Sequence, residues 1–263
     1  MSDKQKQMQR IRQQYQDLNV VKKTFEKLKG NSGARNIKTS LFNEGIIMSR
    51  RKIRRLMEEQ NLISVYGKPK YTKPGTIKAD SNKANVSNLL GRQFSGWKEN
   101  EVVVSDLTYV KVNNKWCYIC VLLDLFNREI VGWGVGENKR ADLVLQAFKK
   151  SGISWRKVMI FHTDRGMEFC SRKIDKFLNE NGIIRSLSRP GTPIDNAICE
   201  SFYKTVKKEF IKKQSFSSLK RLELFFGDWV HWYNKIRFHS ANGNLSPIDY
   251  KQKFNRIALK KIA

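Results

Sequence analysis

Apolar residues recur every three or four positions at Met8, Ile11, Tyr15, Leu18, Val21, Phe25 and Leu28, which predicts one amphipathic helix ended near Gly30. Ile37, Leu41 and Phe42 then line a second helix, Gly45 makes a turn, and Ser49 caps a third helix whose Ile53, Leu56 and Met57 face inward. From 64 to 95 the pattern lapses. Gly67, Pro69, Pro74 and Gly75 break structure there and apolar residues are few, as in a linker. Beyond it the period changes to two. Strands are predicted at 102–112, 116–123 and 129–135, joined as hairpins through Asn113-Asn114 and Asn127-Arg128. Helices at 141–150 and 172–181 then alternate with strands at 158–161 and 183–188. After a Pro/Gly turn at 190–193, a helix begins near Asp195, and further helical pattern runs from 219 to 233 and beyond.

Alternation puts Val102, Val104, Asp106, Thr108 and Val110 on one strand face, so a carboxylate sits among apolar neighbours. A buried, unpaired carboxylate is costly and calls for a partner. A divalent cation held by three carboxylates would supply one. Asp164 ends the strand at 158–161, and Glu200 lies in the first turns of the helix that follows the Pro/Gly turn. Thirty-five residues separate those two acids. A bland alternative makes Asp164 a turn cap and pairs Glu200 with Lys204, four residues on. Asp124 reads as a turn residue, His162 as a packed or hydrogen-bonded strand-end residue, and Asn196 as a helix cap.

The formal net charge of +27 is divided almost equally between the first hundred residues and the rest, which excludes a basic tail as its source. Charge of that size implies a polyanion, most simply nucleic acid. No apolar run approaches the ~20 residues needed to span a bilayer, so a soluble, cytoplasmic and nucleoid-associated protein is expected. Of the four cysteines, Cys117 and Cys120 form a C-x-x-C on a predicted strand, where they point to opposite faces and cannot share a metal or a disulfide. No His or Cys precedes residue 100.

The three acids stand in DLTY, HTDRG and DNAICESF, and this set resembles the acidic triad of DDE transposases and retroviral-type integrases. It is most similar to bacterial insertion-sequence transposases of the IS-three group, along nearly the whole chain. The resemblance implies an α/β (α+β) architecture: a ribonuclease-H-like integrase core behind an all-α helix-turn-helix module. Expected domains are an amphipathic helix (1–30), a helix-turn-helix module (31–63), a basic linker (64–95), the catalytic core (96–212) and a helical extension (213–263) that contacts DNA. It also implies Asp106, Asp164 and Glu200 as catalytic and metal-binding residues for two Mg²⁺ ions, with Mn²⁺ able to substitute. Asp106 would bridge both ions, Asp164 bind one and Glu200 the other. Implied partners are double-stranded DNA at element ends and target, a homo-oligomer of at least two copies on DNA, and an upstream-frame DNA-binding protein or fusion.

Arg50, Arg51, Lys52, Arg54 and Arg55 stay outside in the third helix, as suits a helix entering the major groove or lying along phosphates. Lys204 and Lys207 share the face of Glu200 and either hold a DNA end or form a solvated face. Near the end, Trp232, Tyr233, Arg237 and His239 lie in a segment like the C-terminal signature of the same group. There they either clasp DNA or pack. Two rival functions stand beside a DNA-cutting and joining enzyme: a ribonuclease-H-like nuclease that does not join, and a non-catalytic helix-turn-helix DNA-binding protein.

Overall fold

The computed structural model describes residues 3–66 and 86–260. The chain divides into two units, Met1–Pro74 and Gly75–Ala263. Much of the stretch read as a linker, 67–85, lies outside the described residues.

The first unit consists of α1 (Asp3–Lys27), α2 (Ala34–Asn43) and α3 (Arg50–Glu59). Val21 and Leu28 of α1, Ile37 and Leu41 of α2, and Ile53, Leu56 and Met57 of α3 are buried. Met8 and Tyr15 continue the α1 stripe yet are exposed, so the periodicity runs past the covered part of that helix. Phe42 was expected inside and is 66% exposed. One residue beyond Leu41 the helix has turned by about 100°, and the inward positions are Ile37, Ser40 and Leu41. Gly45 turns the chain with φ +79°, in the left-handed region glycine enters without strain. Ser49 caps α3 by accepting from the Lys52 backbone N–H at 3.2 Å.

The second unit is built on a five-stranded sheet in the order β3-β2-β1-β4-β5. Strands β1 (Val102–Val112), β2 (Lys115–Asp124) and β3 (Ile130–Gly136) form the antiparallel meander. Asn113 and Asn114 turn the first hairpin with φ of 43° and 64°, both left-handed, and that twist matches the strands they join. After α4 (Ala141–Lys149), strand β4 (Ile160–Thr163) returns parallel to β1; after α5 (Arg172–Glu180), β5 (Ile184–Leu187) pairs in parallel with β4. One face is covered by a cluster that includes Phe148, Phe161, Ile174 and Leu178, so α4 and α5 lie there. Helices α6 (Ala197–Glu209) and α7 (Leu219–Lys235) cover the other with Val206, Phe226 and Trp229. The final helix is α8 (Pro247–Lys260).

Strand β3 meets α4 at close range, and glycine makes this possible. A Cβ on Gly132 would fall 2.5 Å from the Ala147 carbonyl oxygen. Cys117 belongs to the α6/α7 side and Cys120 to the α4/α5 side, as alternation required, and all four cysteines are free. Residues 86–95, read as the end of the linker, instead pack on this unit. Leu90 is buried, the Leu89 and Leu90 backbone N–H groups donate to Ser186 Oγ at 2.9 and 3.3 Å, and Arg165 donates to the Val86 carbonyl at 2.9 Å. One buried leucine held by backbone bonds is too short to show a period, so the pattern missed it.

Candidate active site

Parallel pairing of β1 with β4 matches Val104 to His162. Two residues further along both strands, the same register brings Asp106 level with Asp164. Each carboxylate is steadied by a backbone donor. Asp106 Oδ1 accepts from Leu107 N–H at 2.7 Å, and Asp164 Oδ1 accepts from Gly166 N–H at 2.9 Å. Burial, and after it the charge of Asp164, raises the Asp106 carboxyl to about 7, while the nearby Lys139 ammonium works in the opposite direction.

Glu200 stands in the first turn of α6 and is half-buried. This helix is bound to β1 by the Tyr203 hydroxyl, which donates to the backbone carbonyl of Asp106 itself. Beside Glu200, the buried Cys199 thiol is pushed well above its usual range by burial, with Asp106 and Asp164 the next causes. The start of α6 therefore lies near both aspartates. Even so, among the described residues no three His, Cys, Asp or Glu side chains are close enough to hold one metal ion together. The structure brings Asp106 and Asp164 together and leaves Glu200 outside that pair. Of the bland reading, the turn cap is present, since Asp164 accepts from Gly166 N–H, while Glu200 makes no ion pair with Lys204.

Sequence reasoning missed Glu168. It is buried, ion-paired with Lys139 at 2.9 Å, and acts electrostatically on Asp106. Gly166 makes room for it, since a Cβ there would come within 2.4 Å of Glu168 Oε1. The glycine two residues earlier was the available signal. Asp195 was also missed. Fully buried, it receives Arg189 Nε at 2.8 Å, Arg189 Nη2 at 3.0 Å and Arg92 Nε at 2.7 Å, and these guanidiniums, Arg189 first, hold its carboxyl far below the usual range. That clamp fixes the loop from which α6 starts. His162 is packed, as expected: Nδ1 meets Ser186 Oγ at 2.8 Å, Nε2 meets Ser188 Oγ at 3.1 Å, and burial lowers its pKa to about 4. Asp124 accepts from the Asn100 and Phe126 backbone N–H groups and serves its turn. Asn196 occupies the N-cap position of α6, but its side chain makes no capping bond.

Two models described as integrase core domain match residues 97–193 and 181–247, and one described as HTH-like domain matches 2–70. An insertion element IS600 protein of 31 kDa from Shigella sonnei is 31% identical over 86% of this chain and 83% of its own length. The chain belongs to the insertion-sequence transposases. The transposase for insertion element IS904 of Lactococcus lactis is likewise 31% identical, over 89% of this transposase and 92% of that one. The magnesium-bound catalytic core of HTLV-2 integrase aligns with a TM-score of 0.43 at 16% identity, over 54% of this chain and 91% of that one. By its family models the second unit carries an integrase core, and the protein is a DDE polynucleotidyl transferase.

The transposase's expected DNA contacts fare unevenly. Arg50, Arg51, Arg54 and Arg55 are exposed on α3. Lys52 is not a free outer residue: it is half-buried and ion-paired with Asp17 of α1, whose carboxylate needed a counter-charge. Lys204 is exposed, and Lys207 lies over the Tyr109 ring at 4.9 Å. Arg237 turns toward the protein interior. It grips the buried Glu209 with two bonds of 2.9 and 2.8 Å, because that carboxylate, 1% exposed, requires a cation. Trp232 and Tyr233 are buried in the α6/α7 core, and burial drives His239 well below its usual pKa. These aromatics pack. Among the described residues no helix is long and apolar enough to cross a membrane.

Proposed function

We propose that this transposase cuts and rejoins the ends of its element at Asp106 and Asp164, with Glu200 completing the site when α6 closes on bound DNA. The observation that carries this reading is the pairing of two carboxylates where β1 and β4 part, in surroundings dry enough to raise Asp106 to about 7. Such a pair of oxygen donors, short of positive charge, fits a hard divalent cation, Mg²⁺ with Mn²⁺ as substitute. When bound, a pair of such ions supplies charge neutralisation at the phosphate and activation of the attacking oxygen.

The chain's own residues do the rest. Asp106 and Asp164 are the metal-holding carboxylates, preset by the Leu107 and Gly166 backbone donors. Glu200 comes from a helix anchored at Tyr203 and from a loop clamped at Asp195, and it joins the pair as the first turn of that helix closes. Lys204, on the same helix and facing solvent, meets the phosphates of the DNA end. The nucleophile is water in cleavage and a DNA 3′-hydroxyl in joining. Two ends are brought together by at least two copies of the chain on DNA, through the exposed arginines of α3.

A strand-transfer assay on labelled element ends with Mg²⁺ tests the reading. Joined products are expected from the wild type; Asp106→Asn, Asp164→Asn and Glu200→Gln should each abolish them while end binding persists. Nicked DNA without joined product would leave a nuclease, and an active Glu200→Ala protein would remove Glu200 from the set.

A further inference from the structure

Beyond Asp106, β1 continues into a hairpin whose outer surface the chemistry above does not use. Tyr109 and Trp116 are each 55% exposed, and their rings meet edge to face at 5.1 Å. Lys111 stands opposite Trp116 in the register, with its ammonium 5.8 Å from that ring, and Lys207 of α6 reaches to 4.9 Å from the Tyr109 ring. We propose that Tyr109 and Trp116, flanked by Lys111 and Lys207, form a stacking platform for unpaired bases of a DNA strand leading to the active site. The proposal rests on the DNA-joining reading above.

Large aromatic rings are usually covered, and here two are presented on a rigid mount. Both turn residues are locked in left-handed conformations, and the Asn113 backbone N–H donates to the carbonyl of the buried Phe216 at 2.9 Å. The charge around the rings has one sign. No acidic residue occurs from 107 to 123 or from 201 to 208. Among the described residues Lys111, Lys115, Lys204 and Lys207 form no ion pair with a carboxylate. A second copy of this chain is a poor occupant, because a two-fold contact would set the same lysines against each other. Nucleic acid matches both features: phosphates answer the lysines, and a base offers a flat face to a ring. Duplex DNA keeps its base faces within its own stack, so the rings favour bases already unpaired.

Position agrees with this role. Tyr109 lies three residues along β1 from Asp106, about 10 Å of strand, and this odd spacing turns it to the other sheet face, where Lys207 of α6 still reaches its ring. Lys207 lies seven residues along α6 from Glu200, again about 10 Å. The platform is one or two nucleotides away from the acids, where a strand parting from its complement would need support.

The test uses the full chain without divalent ions and compares binding to a blunt duplex and to the same duplex with a short unpaired overhang on either strand. Stacking contributes about 1–3 kcal/mol per base, so Tyr109→Ala/Trp116→Ala should weaken overhang binding about tenfold or more. Blunt-duplex binding should change by less than about twofold. Tyr109→Phe/Trp116→Phe, which keeps the rings, should restore the preference, and an unchanged melting temperature shows that the variants fold. Equal weakening on both DNAs overturns the proposal, as does no weakening. A changed oligomeric state with overhang affinity intact also overturns it and assigns the surface to a second copy. Strand joining is scored separately. A chain that joins ends without preferring overhangs refutes the platform alone, and one that prefers overhangs without joining refutes the enzymatic reading alone.

Discussion

Replacing Asp106 by Asn keeps the shape of the side chain and removes a charge that the fold accommodates poorly. Burial first, and Asp164 second, raise its pKa from 3.8 to about 7. At about 1.4 kcal/mol per pH unit, ionisation in the folded state costs at most about 4 kcal/mol. The side chain keeps some contact with water, and screening reduces the expected effect to about 2 kcal/mol. Because the folded value lies above the unfolded one, this contribution to stability is complete below about pH 4 and is lost as pH rises through 7. All six tryptophans lie between 97 and 232, so their fluorescence follows the second unit alone. Without divalent ions, the wild type should lose about 4–8 °C more than Asp106→Asn in melting temperature between pH 4 and pH 8. Asp124, raised to about 6 mainly by burial, titrates in the same direction in both proteins, so the difference between them is the quantity to read. Adding Mg²⁺ at pH 8 to a hundred times its dissociation constant should return about 2.7 kcal/mol to the wild type and little to the variant. Equal pH slopes in the two proteins would refute the reasoning.

Arg237→Ala should cost about 3–5 kcal/mol in urea unfolding, because it strips the guanidinium from the buried Glu209 carboxylate; lost DNA affinity at unchanged stability would instead make Arg237 a DNA contact. Gly132→Ala should destabilise the second unit by about 1–3 kcal/mol, since the new methyl has a backbone oxygen at 2.5 Å and α4 must shift to admit it. A neutral thermal scan would show that the helix gives way freely. In α3, Arg54→Gln should lower the slope of log affinity against log salt by about 1, whereas Lys52→Gln, already paired with Asp17, should leave the slope alone. Equal slopes for both variants would show that the exposed arginine is not on DNA.

Much of the architecture was legible because several independent signals agreed. The first hairpin was marked by two asparagines suited to positive φ, and β1 by its run of β-branched residues, whereas in the second hairpin Arg128 rather than Asn127 takes the positive φ. Ser49 announced its cap in the same way. What stayed hidden depends on partners distant in the chain. Nothing around Lys52 indicates Asp17, and nothing in the C-terminal segment indicates that Arg237 turns inward to Glu209. A basic residue in a basic protein reads as a DNA contact until a buried carboxylate is found beside it. The acidic set shows the same limit from the other side. Asp106 and Asp164 meet through strand register, which local pattern helps to specify. The approach of Glu200 depends on how α6 seats against β1, and no spacing in the sequence encodes that.

The fastening of residues 86–92 bears on how firmly the acids of the second unit are held. This stretch is held at Arg165, one residue past Asp164, then at Ser186, and finally at Asp195, five residues before Glu200. Three contacts therefore tie one short stretch of chain to the loops that carry the acids. A fragment trimmed to begin at residue 96 would forfeit the Arg92 grip on Asp195, and with it one of the two guanidiniums that hold the loop leading into α6.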